Sequence, residues 1–350
     1  GRGAQPVSRG GGLLVRIVTL STAEAQARFE RLPSALRVAS LSPDFARADS
    51  RRDPKLQCVH ACLYGGDSEW IHTVHLLPLA GQAGEWGAIS PYGYGGPLTP
   101  ATATAFLDQA WSAWQVWCRQ EGVLAEFCRL HPQLSQMARA FGGTVKVNRQ
   151  TVSVDLTVPD IASNFNSLTR RKIRRTQQAG VQARWSRKAV DWARFSTFYR
   201  DAMQDLQATP FYFFPNSYFD ALSQLPCAHL LVCERDGRWL SAGVYLLEKG
   251  GVLEYHLGAS SREGKEIGTP SLLQAQAAAW GQAQGAHSLY LGGGADSSPE
   301  NKLLFYKLGF SRRTLSFLVG EAIHDDNRYW AAAGRLGFDH TRPPARLLLD

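Results

Sequence analysis

The 350-residue sequence contains no apolar run that approaches the roughly 20 residues a membrane-spanning helix requires, and its first residues have no signal-peptide core. Its six cysteines show no spacing typical of a disulfide framework, and a chain of this length needs no disulfide to stabilise a core. Cys58, His60 and Cys62 share one face of a predicted strand, but same-face neighbours lie about 6.6 Å apart, too far for easy tetrahedral metal ligation. We therefore expect a protein of the reducing cytoplasm with neither a metal site nor a bound cofactor.

Charged residues are also few, at 19% of the chain, yet the formal net charge is +8. The excess of Lys and Arg must therefore be local, which favours an anionic partner such as nucleic acid, a nucleotide or acidic lipid. The densest basic cluster lies in a helix predicted over residues 163–179, and its arginines are Arg170, Arg171, Arg174 and Arg175. Such a cluster suits phosphate groups, although a solvated helix face beside a linker would have the same composition.

The chain is long enough for two domains, and the same order of predicted elements occurs twice in it. Residues 13–158 and 159–330 each give strand, strand, strand, helix, strand, helix, strand, with unrelated residues in the two halves. This repetition predicts a mixed α/β fold of two similar units in tandem, each a mostly antiparallel sheet flanked by helices. We expect residues 1–12, which include five glycines, to be a disordered lead, and residues 331–350 to be a C-terminal tail.

One short stretch combines a buried strand, a flexible turn and a basic helix. Residues 288–291 form an apolar run, and three glycines follow it: Gly292, Gly293 and Gly294. Glycine backbone adopts positive φ and lets a ligand approach closely, so this turn is a candidate substrate-binding element. A helix predicted over residues 299–308 then carries Tyr306 and Lys307. An ammonium group there would stabilise an acyl-transfer oxyanion, although a tight turn beside a solvated lysine fits the same pattern.

Three further stretches contain candidate site residues. The loop over residues 90–98 holds Tyr92 and Tyr94, and it suits either a ligand wall or a packed crossover. Tyr212 belongs to an aromatic cluster that forms either a core or part of an acceptor cleft. The predicted strand after residue 252 carries three side chains that could orient an amine or relay its proton, Glu254, Tyr255 and His256, of which the histidine could equally belong to the core.

This order of elements resembles the GNAT acyltransferase fold, and two copies in tandem look like the Fem family of aminoacyl-tRNA-dependent peptidyltransferases. The resemblance rests on short motifs, chiefly Tyr255-His256-Leu257-Gly258, Leu291-Gly292-Gly293-Gly294 and Phe305-Tyr306-Lys307. It implies transfer of an acyl or aminoacyl group to an amine through a tetrahedral intermediate, with Lys307 holding the transferred group. Where that family has Phe before the lysine, this sequence has Tyr306.

The donor implied by this resemblance depends on residues 262–270. A CoA-dependent GNAT enzyme presents a glycine-rich loop there, whose amides bind pyrophosphate at a helix N-terminus. In this chain Gly264 and Gly268 have a different spacing, two glutamates lie among them, and Pro270 removes an amide. The segment therefore favours aminoacyl-tRNA, which many dispersed phosphate contacts can hold, and the acceptor would be the amine of a small molecule, a peptide or a cell-wall precursor. Acyl-CoA as donor and a catalytically silent RNA-binding or scaffold protein remain the alternatives, and the oligomeric state stays open.

Overall fold

The computed structural model describes residues 16–79, 83–294, 301–344 and 347. The strands of the described residues are β1 (Arg16–Leu20), β2 (Gln57–Gly65), β3 (Ser68–Pro78), β4 (Trp86–Ile89), β5 (Val123–Leu130), β6 (Thr144–Asp155), β7 (Gln182–Ser186), β8 (Ala228–Arg235), β9 (Arg238–Leu247), β10 (Val252–Ser260), β11 (Ser288–Gly293) and β12 (Thr314–Ile323). The α-helices are α1 (Thr22–Phe29), α2 (Pro43–Asp49), α3 (Thr104–Glu121), α4 (Ser167–Gln178), α5 (Ala189–Asp205), α6 (Asn216–Ser223), α7 (Arg262–Ile267), α8 (Thr269–Ala283), α9 (Lys302–Leu308) and α10 (Asp326–Arg335).

The chain forms two compact units whose boundaries fall inside two strands. Arg149–Ser316 makes the second unit, and the described residues before and after it make the first. These boundaries differ from the expected halves 13–158 and 159–330. The difference arises because the end of β12 pairs antiparallel with β5, from Leu318 opposite Leu130 to Ile323 opposite Ala125, which returns the chain to the first unit.

The first unit is built on a mixed sheet in the order β1-β2-β3-β4-β5-β12. Only the β4–β5 pairing in this series is parallel. Helix α3 covers one face, and its apolar side buries Phe106, Ala110 and Trp114 against the sheet. The helix ends at Gly122, whose φ of 76° is a conformation that glycine adopts without strain.

The second unit is built on a sheet in the order β6-β11-β10-β9-β8-β7, in which only β10 and β11 run parallel. Helix α8 packs on one face, where Leu272 and Ala277 meet Leu253 and Leu289 of the strands. Each unit is therefore a mostly antiparallel sheet flanked by helices, which confirms the predicted fold class.

Residues 34–55 include four arginines and a lysine, yet they form α2 and bury Phe45 and Asp49. The Asp49 carboxylate is buried because it accepts hydrogen bonds from His75 and Arg52, so its charge is compensated. Residues Pro132–Ala140 form a 3-10 segment that is interrupted at Leu134, where φ is −121°.

Helix boundaries also differ from the expected ones. The basic helix begins at Ser167 instead of residue 163, because the Asn166 side chain accepts from the Thr169 amide and caps it. The expected C-terminal tail begins inside α10, which buries Tyr329. The start of the helix predicted over residues 299–308 and the expected lead over residues 1–12 lie outside the described residues. No helix in the described ranges has both the length and the apolarity to cross a bilayer.

Candidate active site

Two neighbouring strands in the middle of the second unit's sheet pair over only part of their length. β10 and β11 pair only from Val252 opposite Ser288 to Glu254 opposite Tyr290. β10 then continues to Ser260 against β9 alone, with a register shift at His256, while β11 continues against β6 on its other side. A strand edge that no described strand covers offers its backbone to an extended ligand. The opening lies directly beside Glu254, Tyr255 and His256.

Lys307 lies buried at the glycine turn that ends β11. Its Nζ donates a hydrogen bond of 2.6 Å to the Gly293 carbonyl oxygen, and the residue is 7% exposed. Burial, with a smaller contribution from the Arg149 charge, lowers the pKa of Lys307 to about 7. Gly292 has a φ of 73°, the left-handed conformation for which glycine is suited. Lys307 and the glycine turn, which the sequence analysis named as candidate site elements, are therefore in direct contact.

A second cation at this turn was not predicted from the sequence. The Arg149 guanidinium donates to the Gly294 carbonyl oxygen at 3.0 Å. Gly294 also has the Asn301 side chain against it, since a Cβ at this position would lie 2.7 Å from Asn301. Two cationic side chains thus hold consecutive carbonyls of the turn. The signal that could have indicated Arg149 is the pairing of β6 with β11, which local sequence does not reveal.

Tyr306 and Tyr255 are partly buried residues whose phenol groups have structural contacts. The Tyr306 hydroxyl donates to the Pro270 carbonyl oxygen at 2.8 Å, which ties α9 to the start of α8, and burial raises its pKa well above the ordinary value. Burial also raises the pKa of Tyr255 to about 12. The Tyr255 hydroxyl lies so close to Gly258 that a Cβ there would be 1.6 Å from it. Both phenols stay protonated at neutral pH and can donate but not act as bases.

His256 is the first of a series of aromatic side chains in contact with one another. The Tyr218 hydroxyl is hydrogen bonded to His256 Nε2 at 2.7 Å, and Tyr218 is buried on α6. The sequence did not indicate Tyr218 as a site residue. The series continues to Phe214, whose ring centre is 5.0 Å from that of Tyr218, and then to Phe211. Tyr212 packs on Phe211, with ring centres 5.2 Å apart. Glu254 is 3% exposed on the same strand. The structure therefore places Tyr212 at the outer end of a cluster that begins beside the opening.

The two tyrosines of the 90–98 loop lie in the first unit. The Tyr92 amide donates to Asp49 Oδ2 at 2.9 Å, and the Arg52 guanidinium lies 5.5 Å from the Tyr92 ring centre. The Tyr94 ring contacts His131 and Phe317, with ring centres 4.6 and 5.6 Å apart. Both therefore have packing roles within that unit, and their role in a ligand wall stays a prediction.

The four arginines of α4 lie on one side of the helix. Successive residues are about 100° apart, so positions 170, 171, 174 and 175 fall within about 140° of one another, opposite buried Thr176. Arg175 donates to the carbonyl oxygens of Glu266 and Ile267, which joins α4 to α7. None of the four arginines forms an ion pair with another described residue. Three exposed guanidinium groups therefore face solvent on one side of a helix.

No cluster of His, Cys, Asp or Glu among the residues placed by the structure could hold a metal ion. The Cys58 sulfur lies 3.6 Å from His60 Nε2, and the Cys62 thiol instead donates to Glu69.

Comparison with known families places β10, β11 and Lys307 in one recognised domain. Residues 163–308 match the family model described as an acetyltransferase (GNAT) domain. This chain carries a GNAT domain. Every element of the candidate site, from α4 to α9, lies within the matched residues, apart from Arg149 on β6. No match was found among curated proteins.

Solved structures extend this likeness to both units. The crystal structure of FemX is 13% identical, with a TM-score of 0.69 over 89% of this chain and 98% of that one. The C-terminal domain of a putative lysylphosphatidylglycerol synthetase from Agrobacterium fabrum is 15% identical, with a TM-score of 0.59 over 90% of this chain and 95% of that one. A tandem GNAT protein from the clavulanic acid biosynthesis pathway is 14% identical, with a TM-score of 0.52 over 89% of this chain and 98% of that one. The fold is thus that of Fem-like tandem GNAT proteins, and the chain is an acyltransferase of the GNAT fold.

Proposed function

We propose that the chain transfers an aminoacyl group from aminoacyl-tRNA to the amine of a small molecule, peptide or cell-wall precursor. The observation that carries this proposal is the buried Lys307 amine, 2.6 Å from the Gly293 carbonyl beside the opening between β10 and β11. Aminoacyl-tRNA would be a co-substrate, and the reaction needs no bound cofactor. Because an ester is already activated, the protein has chiefly to align the amine and stabilise the oxyanion.

The chemical steps follow from this arrangement. The acceptor amine attacks the ester carbonyl, so a C–N bond forms and the carbonyl oxygen becomes an oxyanion. Protonated Lys307 donates a hydrogen bond to that oxyanion in place of the one it makes to Gly293. The C–O bond to the tRNA ribose then breaks, and the proton lost by the amine passes to the ribose oxygen. His256, held by Tyr218, and Glu254 lie on the strand that edges the opening and are the candidate proton carriers.

The segment before α8 supports a tRNA donor over CoA. Residues 262–267 form helix α7 instead of an open loop. Within it the Gly264 amide donates to the Ser261 hydroxyl and the Lys265 amide to the Ser261 carbonyl, while the Gly268 amide donates to the Gly264 carbonyl. Pro270 has no amide to offer. The amides of Gly264, Lys265 and Gly268 are therefore already used within the protein and are not offered to a pyrophosphate.

The names of similar proteins point to two donor classes. A lysylphosphatidylglycerol synthetase, by its name, joins lysine to a lipid, which supports an aminoacyl group as the transferred unit. The tandem GNAT protein is described without AcCoA, which makes acyl-CoA the second donor class to test. The exposed arginines of α4 favour the tRNA donor, because they can contact several phosphates at once.

The test measures the loss of label from a mixed pool of radiolabelled aminoacyl-tRNAs, with cell extract as the source of acceptors. We expect selective loss of one amino acid, dependent on extract, and a decrease of about 100-fold or more in the Lys307→Ala variant, as for removal of an oxyanion donor. The matched control is Lys302→Ala, which removes the same charge from the exposed side of the same helix and should leave the rate unchanged.

Two outcomes would contradict the proposal. If no aminoacyl-tRNA loses label while labelled acetyl-CoA is consumed, the donor is acyl-CoA. If the protein binds tRNA regardless of aminoacylation and Lys307→Ala equals the parent in every assay, the chain is a silent RNA-binding or scaffold protein.

A further inference from the structure

The first unit contains a cavity of about 400 Å³ between its sheet and the C-terminal end of α3. Its apolar lining includes Val59 and Leu76 of the sheet together with Trp86 and Trp117, all of which also contact the core beneath α3. None of its lining residues belongs to residues 163–308, so the cavity is separate from the GNAT domain. A cavity of this size, lined by polar and apolar groups in about equal measure, suits a small organic molecule that has both a polar and an apolar part.

The ring of Trp117 is held in a fixed orientation before any ligand binds. One face stacks on Trp114, with ring centres 4.9 Å apart and an interplanar angle of 11°. Trp114 is itself fully buried, and its Nε1 donates to Glu126 Oε2 at 2.8 Å. This wall of the cavity therefore needs no ordering when it meets a ligand, which lowers the entropic cost of binding.

Glu121 and the indole rings at the α3 end of the lining favour a positive ligand there, against the charges of Arg47, which acts on Cys58 and His60, and of Arg328, which lies beside Gly122. Glu121 is the last residue of α3, and it forms no ion pair with any other residue that the structure describes. The carbonyl end of the 18-residue helix adds negative potential at the same place. Indole faces are also attractive to cations. The two other titratable side chains of the lining are neutral near pH 7, since burial lowers the pKa of His60 to about 4 and raises that of Cys58 to about 12.

We propose that this cavity binds a small organic cation. Its ammonium group would lie at Glu121, and its apolar or aromatic body would lie against Trp86 and Trp117. A basic protein of net charge +8 repels cations in general, so a site built from a carboxylate, a helix C-terminus and two indoles recognises a positive ligand through local contacts.

The test compares two probes of nearly equal shape on the full chain, phenethylamine, which is protonated at neutral pH, and the neutral 2-phenylethanol. Binding is measured by calorimetry and by ligand-observed NMR. We expect saturable binding of the amine, binding of the alcohol that is weaker by about fivefold or more, and a decrease in amine affinity of roughly five- to tenfold in Glu121→Gln. Trp86→Leu should weaken both probes, because it removes apolar contact along with the indole face.

The matched control is Asp108→Asn, which removes one exposed carboxylate from the same helix outside the cavity. Its amine affinity should equal that of the parent protein, and each variant is first shown to melt at the parent Tm. Equal affinity for the amine and the alcohol, equal effects of Glu121→Gln and Asp108→Asn, or no saturable amine binding at millimolar concentration would each overturn the proposal.

Discussion

At Lys307 the protein buries an amine that water would keep charged. Burial brings its pKa from an ordinary value of 10.5 to about 7, so the ammonium and amine forms coexist near neutral pH. The Gly293 carbonyl offers the ammonium form one acceptor while the site is empty. An oxyanion is a stronger acceptor than a neutral carbonyl, and the hydrogen bond therefore becomes stronger as the reaction proceeds.

The pH dependence of activity distinguishes an oxyanion donor from a base at this position. If the ammonium form acts, kcat/KM falls as the pH rises through about 7, since the proton leaves Lys307. Lys307→Arg keeps its proton over this range, and we expect that decline to be absent in the variant, although the rate is lower because the guanidinium has another shape. Initial rates are measured between about pH 6 and about pH 9. A rise through pH 7 in the parent that the variant lacks would instead identify Lys307 as the base.

Glu126 is the buried charge on which the first unit depends. Its carboxylate is fully buried and accepts from His72 Nε2 at 2.5 Å, His324 Nε2 at 3.1 Å and Trp114 Nε1 at 2.8 Å. Burial alone would raise its pKa, but the two imidazoles hold the pKa well below its ordinary value. A depressed folded-state pKa contributes stability above the unfolded-state pKa of about 4.5, and this stability is lost as the pH falls through the folded-state value.

We expect Glu126→Gln to lower the free energy of unfolding by about 3–5 kcal/mol, because it leaves buried donors without a charged acceptor. Urea unfolding at neutral pH measures the change. The control is Glu321→Gln, whose partner Lys146 has a side chain 54% exposed, and the loss there should be below about 1 kcal/mol. Equal losses in the two variants would show that burial of the carboxylate network is unimportant.

At the scale of elements, the arginines of α4 have two different roles. Arg170 and Arg174 are exposed, whereas Arg175 donates to the carbonyls of Glu266 and Ile267. We expect Arg170→Gln and Arg174→Gln each to weaken tRNA binding and to reduce the salt slope by about one unit. Arg175→Gln should chiefly lower the Tm.

Filter binding at several salt concentrations gives the slopes for these variants. The control is Arg312→Gln, an exposed arginine of the same unit outside α4, which should leave the slope unchanged. If all four variants shift the slope equally, tRNA responds to net charge and not to the helix.

Elements whose signal is local were predictable from the sequence. Alternating residues are typical of strands such as β2 and β3, and apolar residues at helical spacing are typical of a helix such as α3. Helix α2 could not be predicted in this way, because the burial of Asp49 depends on His75, 26 residues away on another element. Tertiary contacts of this kind override the polar composition of residues 34–55.

The residues of the candidate site likewise differ in whether the local sequence indicates their contacts. Lys307 and the glycine turn belong to one stretch, and their proximity follows from a strand, a turn and a helix in sequence. Arg149 reaches Gly294 from 145 residues away, and Tyr218 reaches His256 from 38 residues away. Side chains brought in by long-range packing carry no local pattern, so the sequence alone indicated that Lys307 and the glycine turn are neighbours but missed Arg149 and Tyr218.

For the whole molecule, the repeated order of elements predicted two similar units but not how the chain is shared between them. The unit boundaries fall within β6 and β12, so each of these strands contributes residues to both units. The first unit is consequently made of two separate lengths of chain, whereas the second is continuous from Arg149 to Ser316.

This difference predicts opposite results for two truncated chains. Ending the chain at Ser316 removes the pairing of residues 318–323 with β5, and it also removes His324 from Glu126 and the whole of α10. We expect that chain to aggregate, since it exposes a central strand edge and the apolar surface that α10 covers. Arg149–Ser316 alone keeps its sheet order and core, and we expect it to elute as a compact species with a cooperative thermal transition. Size-exclusion chromatography and circular dichroism measure both chains. A cooperative melt of the first chain at the full-length Tm would show that the returning strand is dispensable, because β5 would then be stable as an uncovered edge.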